Sequence, residues 1–185
     1  MASGILSAVR GERMAKVLIV VDMQNDFITG PLGTKEAEDT VERVLEKLKA
    51  FEGDIYFTLD THASGYLNTQ EGKKLPVEHC ISGTEGHKIC DSLAGSACVE
   101  RARFIEKETF GSKELAVLLS QRHDVDEIHL VGVCTDICVI SNALLLKAFM
   151  PERKIVVDAS CCAGVTPHRH ETALETMRYC QIDVV

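Results

Sequence analysis

Three residues that could do chemistry stand where the chain changes character. Asp22 closes the aliphatic run Val17 to Val21, Lys107 closes the run from Phe104, and Cys138 lies just beyond the run Glu127 to Val133. A thiol, a carboxylate and an ammonium are the parts of a nucleophilic hydrolysis. The sulfur attacks a carbonyl, while the carboxylate takes the thiol proton and later gives it to a leaving amine. A nearby lysine steadies both charges. With Thr135 as a helix cap, Cys138 falls in the first turn. There the free N–H groups and the helix dipole are expected to lower the thiol below its usual value of about 8.5. The same N–H groups suit an oxyanion. Each residue also has an ordinary reading: Asp22 as a loop cap, Lys107 as a solvated charge between Glu106 and Glu108, and Cys138 as core filler.

A second group is Asp60, His62, Glu71 and His79, with Glu78 as a competing carboxylate. Asp-x-His at a strand end with a later histidine suits a divalent metal bound through nitrogen and oxygen. Zinc comes first, with iron and manganese also compatible. His79 stands out among the seven histidines because Pro76 and the glycines of LPVEHCISGTEG constrain its segment. Other chemistries lack their parts. No Gly-x-Gly-x-x-Gly follows the first strand and no P-loop is present, so dinucleotide and nucleotide binding are unsupported. Cys134 and Cys138 lack the two-residue spacing of a redox or zinc-ribbon pair.

The elements that must position these groups alternate along the chain. Strands are expected at Val17–Val21, Ile55–Leu59, Phe104–Lys107, Glu127–Val133, Lys154–Asp158 and Ile182–Val185. Helices are expected at Thr34–Phe51, Ser112–Arg122, Thr135–Phe149 and Thr166–Tyr179, the last opened by Thr-Pro. A long polar loop spans Thr61 to Gly86. This order predicts a single α/β domain: a parallel sheet of about six strands with helices on both faces, Rossmann-like, binding its ligand at the carboxyl ends of the strands. Asp22, Lys107 and Cys138 all lie at that end. The chain of 185 residues suits one domain, read as residues 14–185 behind an N-terminal extension, residues 1–13.

Charge and composition narrow the partners. A net charge of -8 disfavours nucleic acid, and no apolar run reaches the length of a bilayer span. The eight cysteines, several within apolar segments, read as reduced thiols in a cytoplasmic protein.

The motifs VDMQNDF, EKETFGS, GVCTDICV and the closing TPHRHETALETM resemble the isochorismatase-like cysteine hydrolases, and within them the nicotinamidase-type amidases. The resemblance runs from Val17 to Val185. It implies that Asp22, Lys107 and Cys138 are catalytic. It also implies a cis peptide between Val133 and Cys134 that sets the Cys134 N–H beside that of Cys138 as the oxyanion hole. Asp60, His62 and His79 match the family's metal ligands, and that metal holds the substrate. The implied reaction is hydrolysis of a small carboxamide, nicotinamide first, by a homo-oligomer (a dimer or tetramer). Other amides, N-carbamoyl compounds and isochorismate are substrates on the same scaffold. A non-enzymatic metal-binding regulatory module also places Asp and Lys at strand ends, but it has no use for a cysteine at a helix start. The chain departs from the nicotinamidases at Thr61, where an aromatic residue is common, and it contains no tryptophan. The wall against a substrate ring is therefore expected from Phe27, Tyr66 and Phe110.

Overall fold

Strand β1, Ala15–Val21, is buried at every position from Val17 onward, which is why its sequence runs aliphatic without alternation. Its side chains still alternate in direction. Val17, Ile19 and Val21 enter one core with Leu115, Leu119, Val139, Leu146 and Leu174, while Leu18 and Val20 enter a second core with Ala37, Val44, Leu48 and Leu93. Both faces of the sheet are thus covered by helices. The computed structural model that shows this describes residues 14–185, and the expected extension, residues 1–13, lies outside the described residues.

After β1 the chain forms a short helix α1, Asn25–Ile28, then α2, Lys35–Ala50, capped by the Thr34 hydroxyl accepting from Ala37 N–H. Strand β2, Asp54–Asp60, leads into the long connection. This is not plain loop: it holds a tight turn, Tyr66–Asn68, and helix α3, Gln70–Lys74, whose cap Thr69 accepts from Gly72 N–H. Helices α4, Asp91–Ala94, and α5, Ala97–Glu100, precede β3, Arg103–Lys107. Helix α6, Lys113–Ser120, and strand β4, Val125–Val133, follow.

The apolar segment after β4 was expected as one helix from Thr135 and is two pieces. Thr135–Val139 forms a wide turn in which Val139 N–H reaches Cys134 C=O at 3.0 Å, and α7, Ile140–Phe149, continues from it. Cys134, with extended backbone, caps the turn. The Thr135 hydroxyl instead meets His170 Nδ1 at 2.8 Å. The chain ends with β5, Lys154–Ala163, α8, Pro167–Tyr179, and β6, Asp183–Val184. Strand β5 outruns its expected end at Asp158, because its register against β4 shifts past Leu130 and pairing resumes at Gly132 and Val133.

The six strands lie in the order β3-β2-β1-β4-β5-β6, with every pair parallel. The order reverses between β1 and β4, and a crevice opens outside their carboxyl ends there. Gly132 makes that junction. Its φ is +113°, and a Cβ there would stand 2.2 Å from the Val21 carbonyl oxygen, so only glycine lets β4 pass so close to the end of β1. The next peptide but one, Val133–Cys134, is cis.

Candidate active site

Asp22 leaves β1 in a left-handed conformation, with φ 48°, unusual for a residue with a side chain. Its backbone N–H reaches Thr58 C=O at 3.2 Å, and the Thr58 hydroxyl donates to Asp22 Oδ1 at 2.6 Å. Lys107 Nζ, arriving from β3, stands 2.7 Å from Asp22 Oδ2, 3.1 Å from Asp60 Oδ1 and 3.7 Å from Cys138 Sγ. All four side chains are buried, so the three sequence candidates converge on one point together with Asp60. Thr58 was not anticipated. Its signal was a short polar side chain inside the strand Ile55–Leu59, which is otherwise aliphatic and aromatic.

The electrostatics correct one expectation. The thiol of Cys138 is not lowered. Burial pushes it well above its ordinary value and the Asp22 charge pushes it further, against the opposing pull of Lys107. Burial likewise raises Asp22, with Lys107 opposing, and Lys107 is raised because its carboxylate neighbours outweigh its own burial. Two carboxylates already share one ammonium. A thiolate would add negative charge beside Asp22 in a dry site. Burial and the Asp22 charge therefore favour the protonated sulfur.

Asp60, His62 and His79 offer ligand atoms that all lie within 4.8 Å of one another. Asp60 Oδ2 is 2.8 Å from His62 Nε2 and 3.5 Å from His79 Nε2. His62 Nε2 is buried and makes no well-directed hydrogen bond. His79 Nδ1 is 2.8 Å from the Val77 carbonyl, so that nitrogen carries a hydrogen and Nε2 is the atom presented to the cluster. An orphaned ring nitrogen, a second ring nitrogen presented beside it and a carboxylate fit a divalent cation. Glu71 Oε1, 3.8 Å from both Nε2 atoms, stands further out, and Glu78 is exposed on the surface. Burial works against the charge of Asp60, but His62, His79 and Lys107 prevail and hold its carboxyl well below the usual range. His79 is raised: burial opposes its charge, while Asp60 and the Val77 carbonyl favour it.

Residues that sequence reasoning passed over hold this half of the site. Gln24 spans the crevice, donating through Nε2 to the carbonyls of Asp60 (2.9 Å) and His87 (2.8 Å) and accepting at Oε1 from Asp60 N–H (2.8 Å). Asn25 Nδ2 donates to Glu85 C=O, and Asp26 Oδ2 accepts from Cys80 N–H at 2.7 Å. A Cβ at Gly86 would collide with the Asp26 carboxylate, so the loop packs tightly on it. The run Gln24-Asn25-Asp26 thus pins the connection that delivers His62 and His79.

Above the cluster lies a cavity of about 220 Å³ with Cys138, Cys134, Asp60, Glu71 and His79 at its polar side. Phe27, Leu32, Leu75, Phe110, Ile137 and Val165 form its apolar walls, with Thr34 and Arg169 also lining it. Phe27 and Phe110 thus stand where a ring-stacking wall was expected. Tyr66 does not line the cavity. Its ring packs behind both histidines, 4.7 Å from His62 and 4.9 Å from His79 between centroids, and its hydroxyl donates to Leu75 C=O.

Comparison with known proteins agrees with this geometry. The isochorismatase domain model matches residues 16–185. An isochorismatase family protein of Bacillus subtilis is 31% identical over 177 residues, covering 87% of this chain and 93% of the relative. The nicotinamidase/pyrazinamidase of Mycobacterium tuberculosis is 28% identical, covering 92% of this chain and 98% of its own. Among solved structures, the pyrazinamidase of Pyrococcus horikoshii in complex with zinc superposes with a TM-score of 0.78 at 28% identity, over 92% of this chain and 98% of that one. With its parallel sheet and a match over nearly its whole length, the chain belongs to the isochorismatase family of hydrolases.

Proposed function

We propose that the protein hydrolyses a small carboxamide to its acid and ammonia, with nicotinamide as the first candidate substrate. The observation that carries this reading is the convergence of Asp22 and Lys107 around Cys138, which lines a cavity with apolar walls. Nicotinamidase and pyrazinamidase activities named for the relatives support the substrate class.

Because the resting sulfur is protonated, attack and proton transfer must be coupled. As Cys138 Sγ bonds to the carbonyl carbon, its proton passes to Asp22, and the carbonyl oxygen takes up the negative charge. The backbone N–H groups of Cys134 and Cys138 are assigned to that oxygen. The tetrahedral adduct then collapses, the C–N bond breaks, and Asp22 returns the proton to the nitrogen so that ammonia leaves a thioester on Cys138. Water enters, Asp22 removes its proton, the acid is released and the sulfur regains a hydrogen. Lys107 holds Asp22 as the carboxylate at the start of each half-reaction and compensates the charge moved between sulfur and oxygen. Thr58 donates to Oδ1 of Asp22 and Lys107 stands against Oδ2, so both oxygens of the base are held in place.

Asp60, His62 and His79 would hold a divalent metal, with Glu71 as an outer group. Bound there, the metal would supply a Lewis-acidic anchor for a substrate donor atom such as a pyridine nitrogen. Phe27 and Phe110 would enclose the ring of such a substrate.

The test is ammonia release from nicotinamide by the purified protein and by Cys138→Ala, with metal content measured on the same samples. Turnover that vanishes in the variant supports the reading. An inert wild-type protein carrying metal and an intact thiol rejects nicotinamide, and an active Cys138→Ala rejects the mechanism.

A further inference from the structure

One buried polar side chain near the nucleophile has no place in the chemistry above, yet both of its donor hydrogens and its oxygen are directed to partners. Asn142 lies on α7, one turn past Cys138, and is only 1% exposed. Its Nδ2 donates to the carbonyl of Cys138 at 2.8 Å and to the carbonyl of Phe110 at 3.1 Å. Its Oδ1 accepts from Ser112 N–H at 2.9 Å. One amide group therefore ties the turn that carries the sulfur to the segment that follows Lys107 and presents the Phe110 wall. The segment fits closely: a Cβ at Gly111 would come within 3.3 Å of the Ser141 carbonyl oxygen.

We infer that Asn142 is a positioning residue that sets Cys138 against both Lys107 and the Phe110 wall. Two features carry this. Ser112 is buried as the cap of α6, but residues 108–111 before it have little else to hold them, since Phe110 is 45% exposed and the Thr109 hydroxyl bonds only to Gly111 C=O. The Cys138 carbonyl, for its part, lies in the wide turn, where the backbone pattern changes from Val139 N–H bonding Cys134 to the regular ladder of α7. An inserted side-chain donor there replaces rigidity that a continuous helix would supply. A buried amide with all its partners directed costs little to keep and much to disrupt.

The test uses two isosteric substitutions that differ in one bond. On a helix, a threonine hydroxyl donates back to the carbonyl four residues earlier. Asn142→Thr therefore keeps the bond to Cys138 and loses those to Phe110 and Ser112, whereas Asn142→Val loses all three. Two readouts are taken on the full-length protein: steady-state nicotinamide hydrolysis, and the rate of iodoacetamide labelling at Cys138 followed by peptide mass. We expect KM to rise by a similar factor of about three in both variants. kcat and the Cys138 labelling rate should stay within threefold of wild type in Asn142→Thr and fall at least tenfold in Asn142→Val. If threonine and valine behave alike, or if labelling speeds up in Asn142→Val, the assignment is wrong. Should either fail to fold, Asn142→Ser against Asn142→Ala makes the same comparison. The kinetic readout rests on the proposed activity. A wild-type protein inert toward nicotinamide, whose labelling still separates threonine from valine, would reject that substrate and retain the role of Asn142.

Discussion

The two halves of the site are built by different means. The thiol half takes Asp22 from the end of β1, Lys107 from the end of β3 and Cys138 from the turn after β4. Its groups are fixed by strand register, and only Thr58 and Asn142 had to be added from nearby positions. The metal half takes Asp60 from the end of β2 but His62 and His79 from the connection that follows, which lies outside the six-stranded sheet and carries one bridge of its own, His62 to Ile81. That connection is pinned by side chains of Gln24, Asn25 and Asp26 instead. The halves meet at Lys107, whose ammonium is shared by Asp22 and Asp60. A sheet supplies geometry without further support, whereas a loop needs its own buried polar anchors.

If the thiol half alone performs the bond-breaking, Cys138→Ala should lower hydrolysis by roughly four orders of magnitude or more while metal content stays unchanged. Parallel loss of metal would show the halves to be less separate than their construction suggests. Lys107→Met tests the junction. It leaves two buried carboxylates without their ammonium and should cost about 3 to 5 kcal/mol of stability in a denaturant titration, with loss of activity. A variant of unchanged stability would mean that the two carboxylates do not depend on a common partner. His79→Gln should weaken metal retention by roughly 10- to 100-fold in a competition with chelator, while leaving the iodoacetamide reactivity of Cys138 within about twofold.

The smallest effect concerns pH. His79 is raised in the folded, metal-free protein. Its stabilising contribution is therefore fully present below its unfolded value of about 6.5 and is lost as pH rises through the higher folded value. Chelator-treated protein should lose its stability advantage over His79→Gln as pH rises above that unfolded value. Metal binding should tighten over the same range, because the ligand nitrogen must first give up its proton. A stability difference that stays flat across that range would show that His79 is not charged in the metal-free protein.

Much of the thiol half was legible in the sequence because it obeys a general rule. Aliphatic runs ending in Asp22 and Lys107 announce parallel strands, and ligands gather at the carboxyl ends of such strands. The alternation of elements gave the sheet for the same reason. Periodicity could not show that the apolar segment from Thr135 begins with a wide turn. Nor could spacing show that burial outweighs the turn's favourable N–H groups at Cys138, since that balance depends on how many carboxylates share one lysine. In the metal half, Asp60, His62 and His79 were recognisable by residue type. Tyr66 was assigned to the cavity because an aromatic in a loop near a site is a natural wall, but its ring turns behind the histidines. The roles of Gln24 and Asn25 depend on backbone carbonyls sixty or more residues away, which no local pattern displays.

The ends of the sheet have a consequence for how copies of this chain can meet. One edge, β3, is five residues long and carries Arg103, Glu106 and Lys107, and the other, β6, has only two residues. Neither presents the long, flat row of free backbone groups that recruits a strand from another molecule. Continuous sheets across two copies are therefore disfavoured at both edges. The same brevity that lets β3 deliver Lys107 inward also makes the edge a poor template for aggregation.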